Sequence, residues 1–412
     1  MSNAIRKGRS LIVVFSIFVF LAPVSLGAYD FGVILNQNVG IGGSGDTGVD
    51  YDAALVPRFS VLLGDSGDLH ISASVKAAYA NERWSFVPEL LRTEFSWNFG
   101  NADFSLGRMM FADPMNLVAV GLFDGARFSL HTAVGTFGVG VWYTGLLYKN
   151  RANISMTSDD AETLQAELDW NHFSDTYFAS RRLMASLYWE HPSVAELFRL
   201  DVALIGQADL NDRAGSYHSQ YLIVRTGIPL QRFIIELGGA VEMAQTVNGS
   251  NTDLYVGLAG DIGVHWMPPV PFHNMLSLTG RFTSGQAESG SMSVFTPITT
   301  VPHGDILEAR ISGLSVLGLS YTARLHRTFS ASLAFSHFVR SDLGTFAAYP
   351  LNGEPNNNYF LGTELFARLI WSPVSDMGFN LGGGAFLPAL GNAAPNAGPL
   401  WRVRLAVTLA LF

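Results

Sequence analysis

The sequence predicts an all-β protein, a transmembrane antiparallel up-and-down β-barrel of about 18 strands, with 16 as the alternative count. Three observations point there. The chain is apolar and weakly charged, with 48% hydrophobic and 14% charged residues, yet past its first 28 residues no run resembles a membrane helix. Short segments of alternating apolar and polar residues recur along its whole length. The connections between them alternate in length, as the two ends of a membrane barrel do.

The alternation is clearest in Arg232–Met243. Phe233, Ile235, Leu237, Gly239, Val241 and Met243 share one face, while Arg232, Ile234, Glu236, Gly238, Ala240 and Glu242 share the other. A strand sends successive side chains to opposite faces, so one face here suits hydrocarbon and the other water. A helix would scatter Glu236 and Glu242 among the apolar residues. The pattern returns in 69–79, 253–266 and 359–371.

Strands are predicted near 29–39, 51–63, 69–80, 86–98, 103–110, 123–132, 136–147, 178–190, 196–208, 217–227, 231–245, 252–266, 273–284, 313–325, 328–341, 358–372, 377–388 and 400–412. Most are close to or above the roughly 9–11 residues a tilted strand needs to cross a bilayer. Every second connection is short, and the other set includes the long segments 148–177, 285–312 and 342–357. Trp97, Phe99, Trp189, Trp266 and Trp371 fall at one end of outward faces, where amphipathic rings meet headgroups. The stretch 103–132 is irregular: Phe104, Leu106 and Arg108 share a parity, so a bulge or an earlier strand end is expected there.

The N-terminus reads as an export leader. Arg6, Lys7 and Arg9 precede the apolar run Leu11–Ala22, which is short for a membrane span, and Ser25 and Gly27 are small residues placed for cleavage. Residues 1–27 are therefore expected as a cleaved leader and 28–412 as one barrel domain. Losing the leader removes three basic residues and no acid, moving the formal net charge from −9 to −12. So acidic a chain is a poor partner for nucleic acid. It has no cysteine, hence no disulfide or thiolate chemistry.

The leader, the alternating strands and the closing WRVRLAVTLALF ending in Phe412 resemble Gram-negative outer-membrane porins. In size and strand number the chain is similar to maltoporin-like and alginate-export-like channels, and FSLGRMMFADP followed by GLFDGARFSL is reminiscent of strand pairs in such substrate-selective porins. The resemblance implies residence in the bacterial outer membrane, contact with its lipid and insertion by the barrel-assembly machinery. It also implies assembly as a homotrimer and passive diffusion of small hydrophilic solutes. One feature departs from the pattern. Phe412 shares its face with Arg404, Thr408 and Ala410, not with Leu405, Val407, Leu409 and Leu411.

Inward faces of an 18-stranded barrel line a water-filled lumen. The candidates for the pore wall are Arg58, Lys76, Arg92, Glu94, Arg127, Arg182, Arg199, Asp201, Arg225, Glu236, Glu242, Asp261, Arg281, Arg324, Glu364, Arg368, Arg402 and Arg404. Basic residues lead, which favours anions or anionic saccharides. The competing reading is that they pair with the acids across strands and hold the wall together. In the loop 148–177, Asp159, Asp160, Glu162 and Asp169 could shape an electrostatic gradient or hold a hard cation, or simply lie in solvent. Inward aromatics such as Trp142, Tyr188 and Phe366 could stack on sugars or pack a core. No nucleophile elbow, HExxH or P-loop occurs, so neither an enzyme nor a resident metal or cofactor is expected. The long loops leave a second functional class open, an adhesin or structural barrel that binds partners at its outer end.

Overall fold

The computed structural model describes residues 29–411 apart from 45, 81, 212–214, 249–250, 271, 287–292, 310–311 and 344–356. The expected leader, and Phe412, lie outside the described residues.

The strands are β1 (Tyr29–Ser44), β2 (Asp46–Leu63), β3 (Gly67–Ala80), β4 (Arg83–Asn98), β5 (Ala102–Ala112), β6 (Val120–Thr132), β7 (Gly135–Tyr143), β8 (Arg182–Val194), β9 (Phe198–Asp209), β10 (Ser216–Leu230), β11 (Phe233–Asn248), β12 (Asn251–Trp266), β13 (His273–Thr283), β14 (Leu314–His326), β15 (Phe329–Arg340), β16 (Phe360–Val374), β17 (Met377–Leu387) and β18 (Leu400–Leu411). Each pairs antiparallel with the next, and β1 pairs with β18 from Val33↔Leu411 to Gly43↔Trp401. The sheet therefore closes with 18 strands, and neither terminal strand is left with an unpaired edge for lipid to meet.

The two faces divide as the alternation predicts. On β11, Leu237, Val241 and Met243 are exposed on the outside, while Ala240 and Glu242 are buried within. At the end bearing the short turns, aromatic rings form a belt: Trp97 packs on Phe95 of its own strand, while Trp189 with Phe137, Trp266 with Phe233 and Trp371 with Phe379 pair across strands.

Three departures have physical causes. β1 and β2 run on into a tight hairpin instead of stopping near 39 and starting near 51. Gly40, Gly42 and Gly43 pair there in register with Asp50, Gly48 and Thr47, and glycine gives no strand signal in sequence. β7 ends at Tyr143 and β8 begins at Arg182, because 144–181 folds as three short helices, α1 (Lys149–Ala152), α2 (Ser158–Gln165) and α3 (Phe173–Tyr177). The irregularity at 103–132 is neither a bulge nor an early end of β5. β5 stays paired to β6 as far as Ala112↔Val120, but its pairing to β4 stops at Thr93↔Arg108. Beyond that point the β5–β6 hairpin leaves the wall and leans into the lumen.

A charge on the outer face should test the membrane orientation. Val241→Arg is expected to cost about 2–4 kcal/mol if the residue lies near the bilayer midplane, read as a shift in equilibrium unfolding in lipid vesicles.

Candidate functional site

The lumen is narrowed by three connections from the same end of the barrel. The first, 113–119, joins β5 to β6, and Met115, Leu117, Val118 and Ala119 are completely buried. Asp113 organises it: its carboxylate accepts the N–H groups of Met115, Leu117, Val118 and Ala119 at 2.8–2.9 Å. Burial pushes the Asp113 carboxyl above its ordinary range, while those four amides pull it back. From the opposite wall, Arg225 donates to the Pro114 carbonyl at 2.7 Å and Arg281 to that of Met115 at 3.0 Å.

The second connection, 284–313, crosses the lumen and docks on both sides. Near β11, Glu242 accepts from the Thr296 N–H at 2.6 Å and from the Tyr217 hydroxyl at 2.8 Å. Near β16, Glu364 accepts the N–H groups of Asp305, Ile306 and Leu307 at 2.6–3.1 Å. Between them the Val118 carbonyl accepts from Ile298 and Thr299, joining the first connection to the second. Phe295 and Ile298 complete an apolar cluster with Met115, Leu117, Phe123, Trp142 and Ile223. A second cluster joins Ile306, Leu307 and Ala309 to Phe338, Leu361 and Phe386 on the far wall.

The third connection, 144–181, caps this end. Arg182, with no exposed surface, binds Asp160 at 2.5 Å and Asp209 at 2.8 Å. Arg151 binds Glu89 at 2.7 Å, and Asn153 and Ser155 reach Thr300.

These anchors re-sort the residues expected in the pore wall. Arg182 points inward, but the third connection covers it completely, so it holds that loop and meets no solvent. Glu242 and Glu364, 1% and 2% exposed, are likewise covered by the loop amides they bind. Asp160 closes the capping box of α2, whose N-cap is Thr157: its carboxylate accepts the N–H groups of Met156 and Thr157, and its own N–H donates to the Thr157 hydroxyl. Asp169 binds His172 at 2.8 Å, and Glu162 is exposed. With Asp159 half-buried nearby, these acids form no metal-binding group among the described residues.

Most other lumen cations are paired: Lys76 with Asp52, Arg92 with Glu94, Arg199 with Asp201, Arg225 with Glu236, Arg281 with Asp261, Arg368 with Asp305 and Arg402 with Glu308, all at 2.6–3.1 Å. Arg58 sits on the inward face of β2 opposite Ser72. Arg324 donates to the Arg327 carbonyl at the short-turn end. Arg127 and Arg404 make no ion pair with any described residue.

Two connected cavities lie below the first connection. A recess of about 350 Å³ is lined by Asp113, Asn116, Arg127, Arg199, Arg225 and Glu236. A vestibule of about 450 Å³ opens toward the short-turn end and includes Asp103, His131 and Glu94. Arg127, Tyr188 and Glu190 line both and so mark the neck between them. The inward aromatics do not form a track: Trp142 is fully buried against Phe111, Tyr188 bonds Ser129 at the neck, and Phe366 packs with the second cluster.

Sequence reading missed Asp113, Tyr217 and the Arg108–Asp124 pair, whose nitrogens and oxygens meet at 2.8 Å. The last was detectable, because an arginine and an aspartate sit on outward parity in neighbouring strands.

This closed barrel with a loop-narrowed lumen has the fold of bacterial outer-membrane channels. No family model matches the chain, and no curated protein matches it. Among solved structures it is similar to Pseudomonas aeruginosa OccK2 (OpdF) in complex with glucuronate, with a TM-score of 0.61 at 12% identity over 93% of this chain and 98% of that one. The outer membrane protein opdK of P. aeruginosa gives 0.58 at 10% identity, over 93% and 98% of the two chains. Acinetobacter baumannii OccAB4 gives 0.59 at 8%, over 94% and 99%. At these identities the likeness is one of fold.

The second connection carries a pH-sensitive group. Burial, with Arg281 nearby, pushes the His303 imidazole down to about 4, and its buried Nε2 has no hydrogen-bond partner among the described residues. A released loop would take its proton near 6.5, so it binds more protons than the docked loop between the two values. The contribution of His303 should therefore oppose docking as pH falls from 6.5 toward 4, by up to about 3 kcal/mol. Amide exchange of the 300–309 backbone, compared with His303→Gln at pH 7 and pH 4.5, should show acid-dependent loss of protection only in the wild type.

Proposed function

We propose that the protein is a channel of the bacterial outer membrane for the passive diffusion of small hydrophilic solutes, with a preference for anions, including anionic saccharides. The observation that carries the reading is the pair Arg127 and Arg404. In a lumen whose other cations are mostly paired, these two guanidiniums have no carboxylate at ion-pair distance among the described residues, and Asp103 acts on Arg127 only through space. Paired charges hold the wall and loops, while unpaired ones set the sign of the field a passing ion meets. That OccK2 was solved with glucuronate, a sugar carboxylate, supports the same chemistry in this fold. The reading carries with it insertion by the barrel-assembly machinery, contact with outer-membrane lipid and, by resemblance, assembly as a trimer. No catalytic step belongs to it.

The test is single-channel recording of the refolded protein in a planar bilayer, with reversal potential measured under a salt gradient. Anion preference is expected. Arg127→Gln and Arg404→Gln should each lower the anion-to-cation permeability ratio, by up to about fivefold if each guanidinium contributes about 1 kcal/mol at contact in water-like surroundings. Cation preference in the wild type would overturn the arginine argument and leave the channel.

A further inference from the structure

The place where the β5–β6 hairpin leaves the wall is held by one side chain. Above Thr93↔Arg108, β4 continues for ten residues, 83–92, that have no partner on β5, while β3 still pairs along its other edge. Two carbonyls on the open edge of β4 accept from side chains. Arg108 Nη1 donates to the Leu90 carbonyl at 2.6 Å, and the Tyr177 hydroxyl donates to that of Pro88 at 2.6 Å. Pro88 itself has no N–H to offer a neighbouring strand.

Arg108 does more than fill this gap. Its Nε and Nη2 take both oxygens of Asp124 on β6 at 2.8 Å, and Nη2 also donates to the Leu146 carbonyl of the third connection at 2.9 Å. The guanidinium, 4% exposed, thus links β4, the back of the hairpin and the capping loop. The hairpin turns away at Gly107, whose φ is +116°, and a Cβ there would collide with the Thr93 carbonyl. Behind the leaning hairpin, Leu122 rests on Leu147, Ala152, Ile154 and Ala179, which occupy the place it has vacated.

We infer that Arg108 is the positioning residue of the constriction: it props the β5–β6 hairpin away from the open edge of β4 and so keeps 113–119 across the lumen. Without it, residues 109–112 are free to pair with that edge. The tip is then drawn toward the wall, and the pore widens. The inference concerns the geometry of the barrel and does not depend on which ion the channel prefers.

The test replaces both charges, Arg108→Leu with Asp124→Leu, so that no lone charge stays buried. Folding is checked by heat-modifiable migration on gels. The expected result is a single-channel conductance at least doubled and a weaker ion preference. A tether then separates loop withdrawal from a leak through the wall. The chain has no cysteine, and Val118 and Thr299 are joined by a backbone hydrogen bond. A Val118→Cys, Thr299→Cys pair added to the double variant should restore wild-type conductance when oxidised and release it again on reduction. Unchanged conductance in the folded double variant would overturn the inference, as would raised conductance that the tether does not reverse. If the double variant fails to assemble, Arg108→Lys takes its place. An ammonium cannot span all the acceptors, so conductance should rise part-way, and wild-type conductance would count against the inference. Amide exchange reads the movement without ion flow: residues 115–120 should lose protection in the variants, and retained protection would overturn the inference even if the protein proved not to conduct.

Discussion

Everything in this molecule depends on the pairing of β1 with β18. In hydrocarbon an unpaired N–H or carbonyl has no water to turn to, and each one costs several kcal/mol. The register from Val33↔Leu411 to Gly43↔Trp401 removes the free edges of both terminal strands at once. With the wall closed, each strand need only keep apolar residues outside and small or polar ones inside. That is why so simple an alternation can specify so large a structure.

The same rule governs the interior. A loop drawn into the lumen brings backbone amides away from bulk water, and they must be satisfied there. Three inward or loop carboxylates do so: Asp113 for 115 and 117–119, Glu242 for Thr296 and Glu364 for 305–307. Two of the three were expected to face solutes. The amides that Glu242 and Glu364 serve come from residues far away in sequence, so the work of these two is to fix the loop that crosses the lumen. The ion pairs along the wall show the same economy, and this leaves the uncommitted arginines to stand out.

Arg108 belongs to both halves of this picture. It sits on the last paired rung between β4 and β5, and above it the wall is continued by a capping loop. The barrel gives up strand pairing over part of one seam and in exchange carries a constriction on a rigid hairpin. Side chains from β5 and the capping loop, Arg108 and Tyr177, supply part of the hydrogen bonding that the missing ladder would have provided.

The sequence by itself determined the number of strands, which face of each meets lipid, the positions of the long connections and the aromatic belt. All of these follow from period-two alternation and turn spacing, which are local properties. It also pointed at 103–132 as irregular, since Arg108 falls on the lipid-facing parity. What it could not contain was the destination of the infolded segments. Whether Glu242 meets a solute or the amide of Thr296, and whether Arg182 lines a pore or lies under a loop, depends on residues tens of positions away. Those contacts exist only after the barrel has closed and the loops have filled it, because burial is a property of the assembled lumen and not of any one strand.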